Sequence, residues 1–237
     1  MKSFFVFVIC IGLFNVSSQA QFKDILNKAK ASVSGLSKNE GDVAAGLKEA
    51  LNNGVDEAVK QLSIEKGYLE SPYKILIPED AQKVIDKVKR IPGFQDVETK
   101  LINQMNQAAE IAAKKATPIF VNSIKQMSFQ DATKILSGPE NAATTYLEST
   151  SRNPLYDEFL PVIQSSLDEV NARAYWKTVV DVYNTLPFVK KMNPELDDHV
   201  NNKALDGLFG LIAVKEKGIR TDVSQRTSDL LKRVFGK

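Results

Sequence analysis

Apolar positions recur along this chain at helical spacing almost throughout, and the C-terminal third carries the broadest pattern. From Asn193 to Phe235 no proline follows Pro194, which suits a first helical turn. At about 100° per residue, Ala204, Leu205, Gly207, Leu208, Phe209, Leu211, Ile212 and Val214 spread over roughly 220° of a helix circumference. A surface helix needs a narrower stripe, so this segment, to about Gly218, is predicted to be central, with neighbours on several sides. His199, Asn202, Lys203, Asp206 and Lys217 fall on the narrow polar remainder.

The rest of the pattern predicts an all-α, multi-helix bundle around that buried C-terminal helix. Ser37 with Glu40 reads as a capping box, opening a helix to about Leu62 that buries Val43, Leu47, Leu51, Val55, Ala58, Val59 and Leu62. The apolar strip Tyr73 to Ile77, flanked by prolines, is the one extended stretch expected. Helices follow over about 79–90 and 95–126, the second alanine-rich and kinked by Pro118, whose ring collides with the carbonyl of Lys114. Ser128 should cap a short helix that Gly138-Pro139 closes. Separate helices are expected over 140–148, from Asn153-Pro154 onward, and over 172–185. Leu230, Leu231, Val234 and Phe235 make a last amphipathic helix, predicted to fold back on the central one.

The first twenty residues stand apart from this core. Lys2 precedes an apolar run from Phe4 to Phe14, and Ser18-Gln19-Ala20 offers a small-x-small cleavage site. That is the pattern of a Sec-type signal peptide, and the run is too short for the roughly 20 residues a membrane span needs. The expected organisation is a signal peptide over 1–20, a lead-in over 21–36 and a single helical domain over 37–236. The expected compartment is periplasmic or extracellular, with no transmembrane segment after cleavage.

Composition narrows the chemistry. Cys10 is the only cysteine and leaves with the leader, which excludes thiolate nucleophiles, thiolate metal sites and disulfides from the mature chain. The formal net charge is +2, and loss of Lys2 brings it to +1, which supplies no field for nucleic acid or an anionic membrane. His199 is the single histidine, and no G-x-S-x-G elbow accompanies it. Asp197-Asp198-His199 imitates a metal cluster, but consecutive helical residues point about 100° apart, and acids at a helix start suit its dipole. No metal site and no cofactor motif is read from the chain. Gly207 and Gly210 sit inside a helical pattern, which marks close packing rather than a phosphate loop.

The tail is richer in charge. It reads as a solvated surface with ordinary ion pairs, Glu216 with Arg220 and Arg226 with Asp229 among them. Its functional reading is a polar binding site between the central and last helices, formed by Lys203, Asp206, Arg220 and Arg226, with an ion pair between Arg226 and Asp206.

Five stretches carry a family likeness: GLKEALNNGVDEAVKQLS at 46–63, KILIPED at 74–80, FVNSIKQMSFQDATKILSG at 120–138, KALDGLFGLIAVKEKGIR at 203–220 and RTSDLLKRVFG at 226–236. The chain resembles a bacterial family named only as domain of unknown function 4197. Val223-Ser224-Gln225 departs from the proline- and alanine-bearing segment that often precedes Arg226 in that family. The resemblance implies an exported, mainly helical domain and brings no activity or catalytic residue with it. From the residues themselves the leading function is a non-catalytic binding protein for an apolar small molecule or a protein partner. The alternatives are a carboxylate-dependent hydrolase and a structural or assembly domain.

Overall fold

The protein is described by a computed structural model over residues 41–236. The leader, the lead-in and the Ser37/Glu40 capping box lie outside the described residues. Nine α-helices and one short 3-10 turn make up the described part, which contains no strand. They are α1 (residues 41–62), α2 (Glu79–Val88), α3 (Val97–Ala113), α4 (Ala116–Gln126), α5 (Phe129–Ser137), α6 (Ala142–Glu169), α7 (Ala172–Asn184), α8 (Asp197–Thr221) and α9 (Asp229–Phe235).

Each amphipathic stripe read from the chain faces inward. Leu47, Leu51, Val55, Ala58, Val59 and Leu62 of α1 are buried, as are Trp176, Val179 and Val180 of α7. Ser128 caps α5 in a reciprocal box with Asp131. The long alanine-rich helix is broken rather than kinked. α3 ends at Ala113, and α4 restarts at Ala116 after exposed Lys114 and Lys115. Lys114 is the residue whose carbonyl the Pro118 ring would strike, and the break makes Pro118 the third residue of α4. There its missing N–H would have had no helical partner anyway.

Proline acts differently in α6. Asn153-Pro154 does not start a helix; α6 runs through it for 28 residues, with Pro154 and Pro161 inside. The two prolines are seven residues apart and therefore share a face, and both are exposed. The carbonyls they deprive of a donor, on Thr150 and Asp157, belong to exposed residues that water can serve. The opposite face buries Leu147, Leu155, Phe159, Ile163 and Leu167. A water-facing proline therefore did not have to end the helix.

α8 is the central helix, packed on α6 and α3. The exception to its predicted apolar arc is Val214, which is 58% exposed. The reason lies in what covers that face. Gly210 and Gly207 are about one and two turns away on it, and they are covered by the rings of Tyr73 and Tyr68. A Cβ on Gly207 would lie 2.7 Å from Tyr68 Cε1, and one on Gly210 would lie 2.5 Å from Tyr73 Cε1. The glycines therefore admit close packing, but of loop tyrosines rather than of another helix. The covering segment stops short of Val214.

That covering segment, residues 63–78, has no regular structure of its own, so α3 and α8 bind its backbone. Asn106 acts as a surrogate strand: its Oδ1 accepts from the Ile75 N–H at 2.8 Å and its Nδ2 donates to the Ile75 carbonyl at 2.9 Å. One turn on, the Glu110 carboxylate accepts from the N–H groups of Lys66, Tyr68 and Leu69. Burial pushes that carboxyl above its usual range, and the three donors pull it back. The Tyr68 hydroxyl donates to the Ala204 carbonyl at 2.7 Å, and burial of the phenol pushes its ionisation well above the usual tyrosine range. The strip at 73–77 thus forms no strand: Tyr73 lies in a turn, residues 74–77 have no regular structure, and Ile75 pairs with a side chain.

This packing sets the expected cost of two substitutions. Phe209 is buried edge-on against Phe120, ring centroids 5.5 Å apart, so Phe209→Ala should cost about 3–5 kcal/mol in a urea melt. Asn106→Ala strands a buried N–H and a buried carbonyl, each costing about 1–3 kcal/mol. The expected loss is about 2–5 kcal/mol, with faster amide exchange at Ile75; a loss below about 1 kcal/mol would show the strip does not depend on Asn106.

Candidate ligand-binding site

The four residues singled out by sequence fall into two groups. Lys203 and Asp206 pair with each other at 3.3 Å, and Asp206 also accepts from Arg152 Nη2 at 2.6 Å. Arg152 in turn holds Glu148 at 2.8 Å. These are surface ion pairs of α6 and α8. Arg220 lies fourteen residues further along α8, roughly 21 Å away at 1.5 Å per residue. The structure brings Arg226 to Arg220 and not to Asp206. Arg226 is only 8% exposed, and it donates from Nε to the Ile219 carbonyl and from Nη2 to the Arg220 carbonyl, both at 3.0 Å. The expected Arg226–Asp206 ion pair is therefore replaced by a cap. The last carbonyls of α8 lack helical donors, and a cation suits the negative end of the helix.

The residue that organises this end is Glu216. It is 7% exposed and accepts from the N–H groups of Ala143 and Thr144 at 2.9 and 2.8 Å, and from Thr144 Oγ1 at 2.8 Å. The N-cap of α6, Asn141, makes no side-chain capping bond. A carboxylate from α8 thus caps α6, with its charge at the positive end of a long helix. Arg220 completes the arrangement, donating from Nε to Glu216 at 2.9 Å and from Nη2 to the Ile135 carbonyl at 2.9 Å. The i,i+4 spacing of Glu216 and Arg220 is legible in the chain; the cap across 72 and 73 residues is not.

An apolar recess lies beside this pair. A void of about 20 Å³ is walled by Leu47, Ala50, Leu51, Ile212 and Ile219, with Glu216 at its edge. It holds about one water. A cleft of about 450 Å³ is lined by Val43, Leu136 and Val234. Arg220 and Phe235 border both spaces. The Arg220 guanidinium lies 5.8 Å from the Phe235 ring centroid. α9 docks as the pattern predicts, although on α1 and the last turn of α8 rather than on the middle of α8. Leu231 is 1% exposed and clusters with Ala50 and Ile219, while Leu230, Val234 and Phe235 are half-buried. Gly46 makes room, since a Cβ there would lie 2.5 Å from Val234 Cγ2.

The start of α8 does not converge on a metal. Asp197 contacts Arg173 at 3.3 Å and Gln164 at 3.1 Å; Asp198 accepts from the Tyr156 hydroxyl at 2.6 Å; His199 Nε2 lies 2.9 Å from the Leu76 carbonyl oxygen. The two aspartates thus engage side chains of α6 and α7, and His199 engages the 63–78 loop. Among the described residues no group of three histidines or carboxylates is placed to hold a metal ion, and no helix is long and apolar enough to cross a membrane.

A family profile described as "Protein of unknown function (DUF4197)" matches residues 37–236. The chain belongs to the DUF4197 family. No curated protein and no solved structure matches it. The matched span takes in every helix described above, so in this DUF4197 protein the recess and its Glu216–Arg220 edge lie within the family domain. Breaking a buried, hydrogen-bonded ion pair by removing one partner typically costs about 3–5 kcal/mol. Glu216→Ala should do so here, with amide exchange accelerating first at Ala143 and Thr144; exchange that stays slow there would show that Glu216 is not the cap.

Proposed function

We propose that this DUF4197 protein is an exported, non-catalytic binding protein whose ligand places an apolar group in the recess between α1, α8 and α9. One observation carries the reading: half-buried Phe235, on the terminal helix, borders both the void and the open cleft. α9 has seven residues, too few for a stable helix in isolation. Leu231 sits in a small cluster with Ala50 and Ile219, and Phe235 packs on both that cluster and the main core. Withdrawing Phe235 would join void and cleft into a space within the usual range of about 300–1,000 Å³ for small-molecule sites. Ala50, Leu51 and Ile212 favour an apolar occupant, and the polar edge is already engaged, because Glu216 and Arg220 bond each other and the α5 and α6 backbone. Export rests on the leader, with its Phe4 to Phe14 run and its Ser18-Gln19-Ala20 site.

Native mass spectrometry of the exported protein tests both parts. The expected spectrum shows a chain beginning at Gln21 with a bound small molecule. The neutral probe N-phenyl-1-naphthylamine should brighten on the purified protein. Phe235→Ala, which removes the ring between void and cleft, should raise its affinity at least threefold. A bare chain together with no probe response, or a response that Phe235→Ala leaves unchanged, overturns the site.

A further inference from the structure

The loop between α7 and α8 presents an aromatic side chain in a way its local chemistry does not require. Phe188 is fully exposed, at 105% of its reference area. Its φ is +61°, a value that a bulky L-residue adopts only under strain. It follows Pro187 in a tight turn, and the positive-φ position after a turn proline ordinarily belongs to glycine or asparagine.

The surrounding loop holds the ring out. Leu186, Val189 and Met192 turn inward and pack on the core. The two ends are clipped together by one side chain: Asn184 Nδ2 donates to the Met192 carbonyl at 3.2 Å, and Asn184 Oδ1 accepts from the Met192 N–H at 3.0 Å. Pro187, Phe188, Lys190 and Lys191 are left exposed at the tip. No acidic residue occurs from Val182 to Pro194, and neither lysine joins an ion pair among the described residues. The loop is therefore a braced projection with an aromatic point and two lysines beside it.

We propose that this loop docks the protein on an anionic lipid surface. Phe188 enters the boundary between headgroups and acyl chains, and Lys190 and Lys191 meet the lipid phosphates. An aromatic point needs only its own tip desolvated at a bilayer, whereas a protein partner would need a complementary patch of roughly 800 Å² around it. The near-neutral chain exerts little long-range pull, but lysines within a Debye length of an anionic surface act on contact regardless of net charge. The inference is independent of the recess beneath α9.

Co-sedimentation of the exported protein, purified without its leader, with vesicles of phosphatidylglycerol and phosphatidylcholine tests it. Wild type should partition onto these vesicles and not onto phosphatidylcholine alone, and the binding should weaken with salt. Phe188→Ser and the double variant Lys190→Glu, Lys191→Glu should each lower the partition at least tenfold. Phe188→Gly should bind as poorly while keeping or raising the melting temperature, because glycine accepts the positive φ. Phe188→Trp should retain binding, and the emission of its introduced indole should be quenched by brominated lipid, while the emission of buried Trp176, measured in the wild type, stays unquenched. Wild type that ignores anionic vesicles overturns the proposal and leaves Phe188 to a protein partner. Binding that survives Phe188→Ser, or emission of the Phe188→Trp variant untouched by brominated lipid, overturns it as well.

Discussion

A buried backbone N–H or carbonyl without a partner costs about 1–3 kcal/mol, and an all-helical fold meets that cost wherever a helix ends or a loop is covered. In this protein the solution is repeated: a polar side chain from one helix reaches across to backbone groups that have no local partner. Asn106 pairs with both backbone groups of Ile75, Glu110 gathers three N–H groups of the 63–78 loop, and Glu216 caps α6. Arg226, just beyond the end of α8, does the same for that helix's last carbonyls. Each of the four is buried, so each doubles as a constraint on how two elements meet.

The central position of α8 follows from these constraints together with its small residues. Tyr68 lies against Gly207 and donates to Ala204, so the loop that Glu110 and Asn106 anchor from α3 is also tied to α8. One segment without regular structure thus joins α3 and α8 through hydrogen bonds on one side and ring packing on the other. At the other end of α8, Glu216 and Arg220 join α8 to the start of α6 and the end of α5. The apolar surface left between those ties and α1 is what α9 covers. α9 covers it incompletely, because a seven-residue helix brings Leu231 fully inside while Phe235 stays half-buried. The proposed binding recess is therefore a consequence of how the last helix is fastened, with Leu231 in a small cluster and Phe235 bridging it to the main core.

The acidic and basic residues that looked most chemical in the chain are mostly occupied by architecture. Glu216 and Arg226 satisfy helix ends, Asp197 and Asp198 bind α6 and α7 side chains, and His199 meets a loop carbonyl. Glu216, Asp197 and Asp198 thus spend their carboxylates on hydrogen bonds to neighbouring elements.

Helix periodicity was legible wherever side-chain burial alone decides structure: the stripes of α1, α2, α5 and α7, the broad arc of α8 and the inward face of α9 all follow from the spacing of apolar residues. The capping box at Ser128 was equally local. What the chain could not show depends on groups distant in sequence. Pro154 reads as a helix start until its exposure on the outer face of α6 is known, since water can serve the carbonyl that it deprives. Val214 reads as buried until the covering loop is seen to stop one turn short. Lys203, Asp206, Arg220 and Arg226 form one site between the central and last helices on paper, yet roughly 21 Å of helix separates the two groups, and Arg226 turns to the nearest orphan carbonyls. Glu216 as the cap of α6, Asn106 as a partner for Ile75 and Phe235 at the border of two spaces all join residues dozens of positions apart. Local spacing determined which faces point inward; only the tertiary structure decided which buried polar groups found one another, because hydrogen-bond partners are chosen by distance in space and not along the chain.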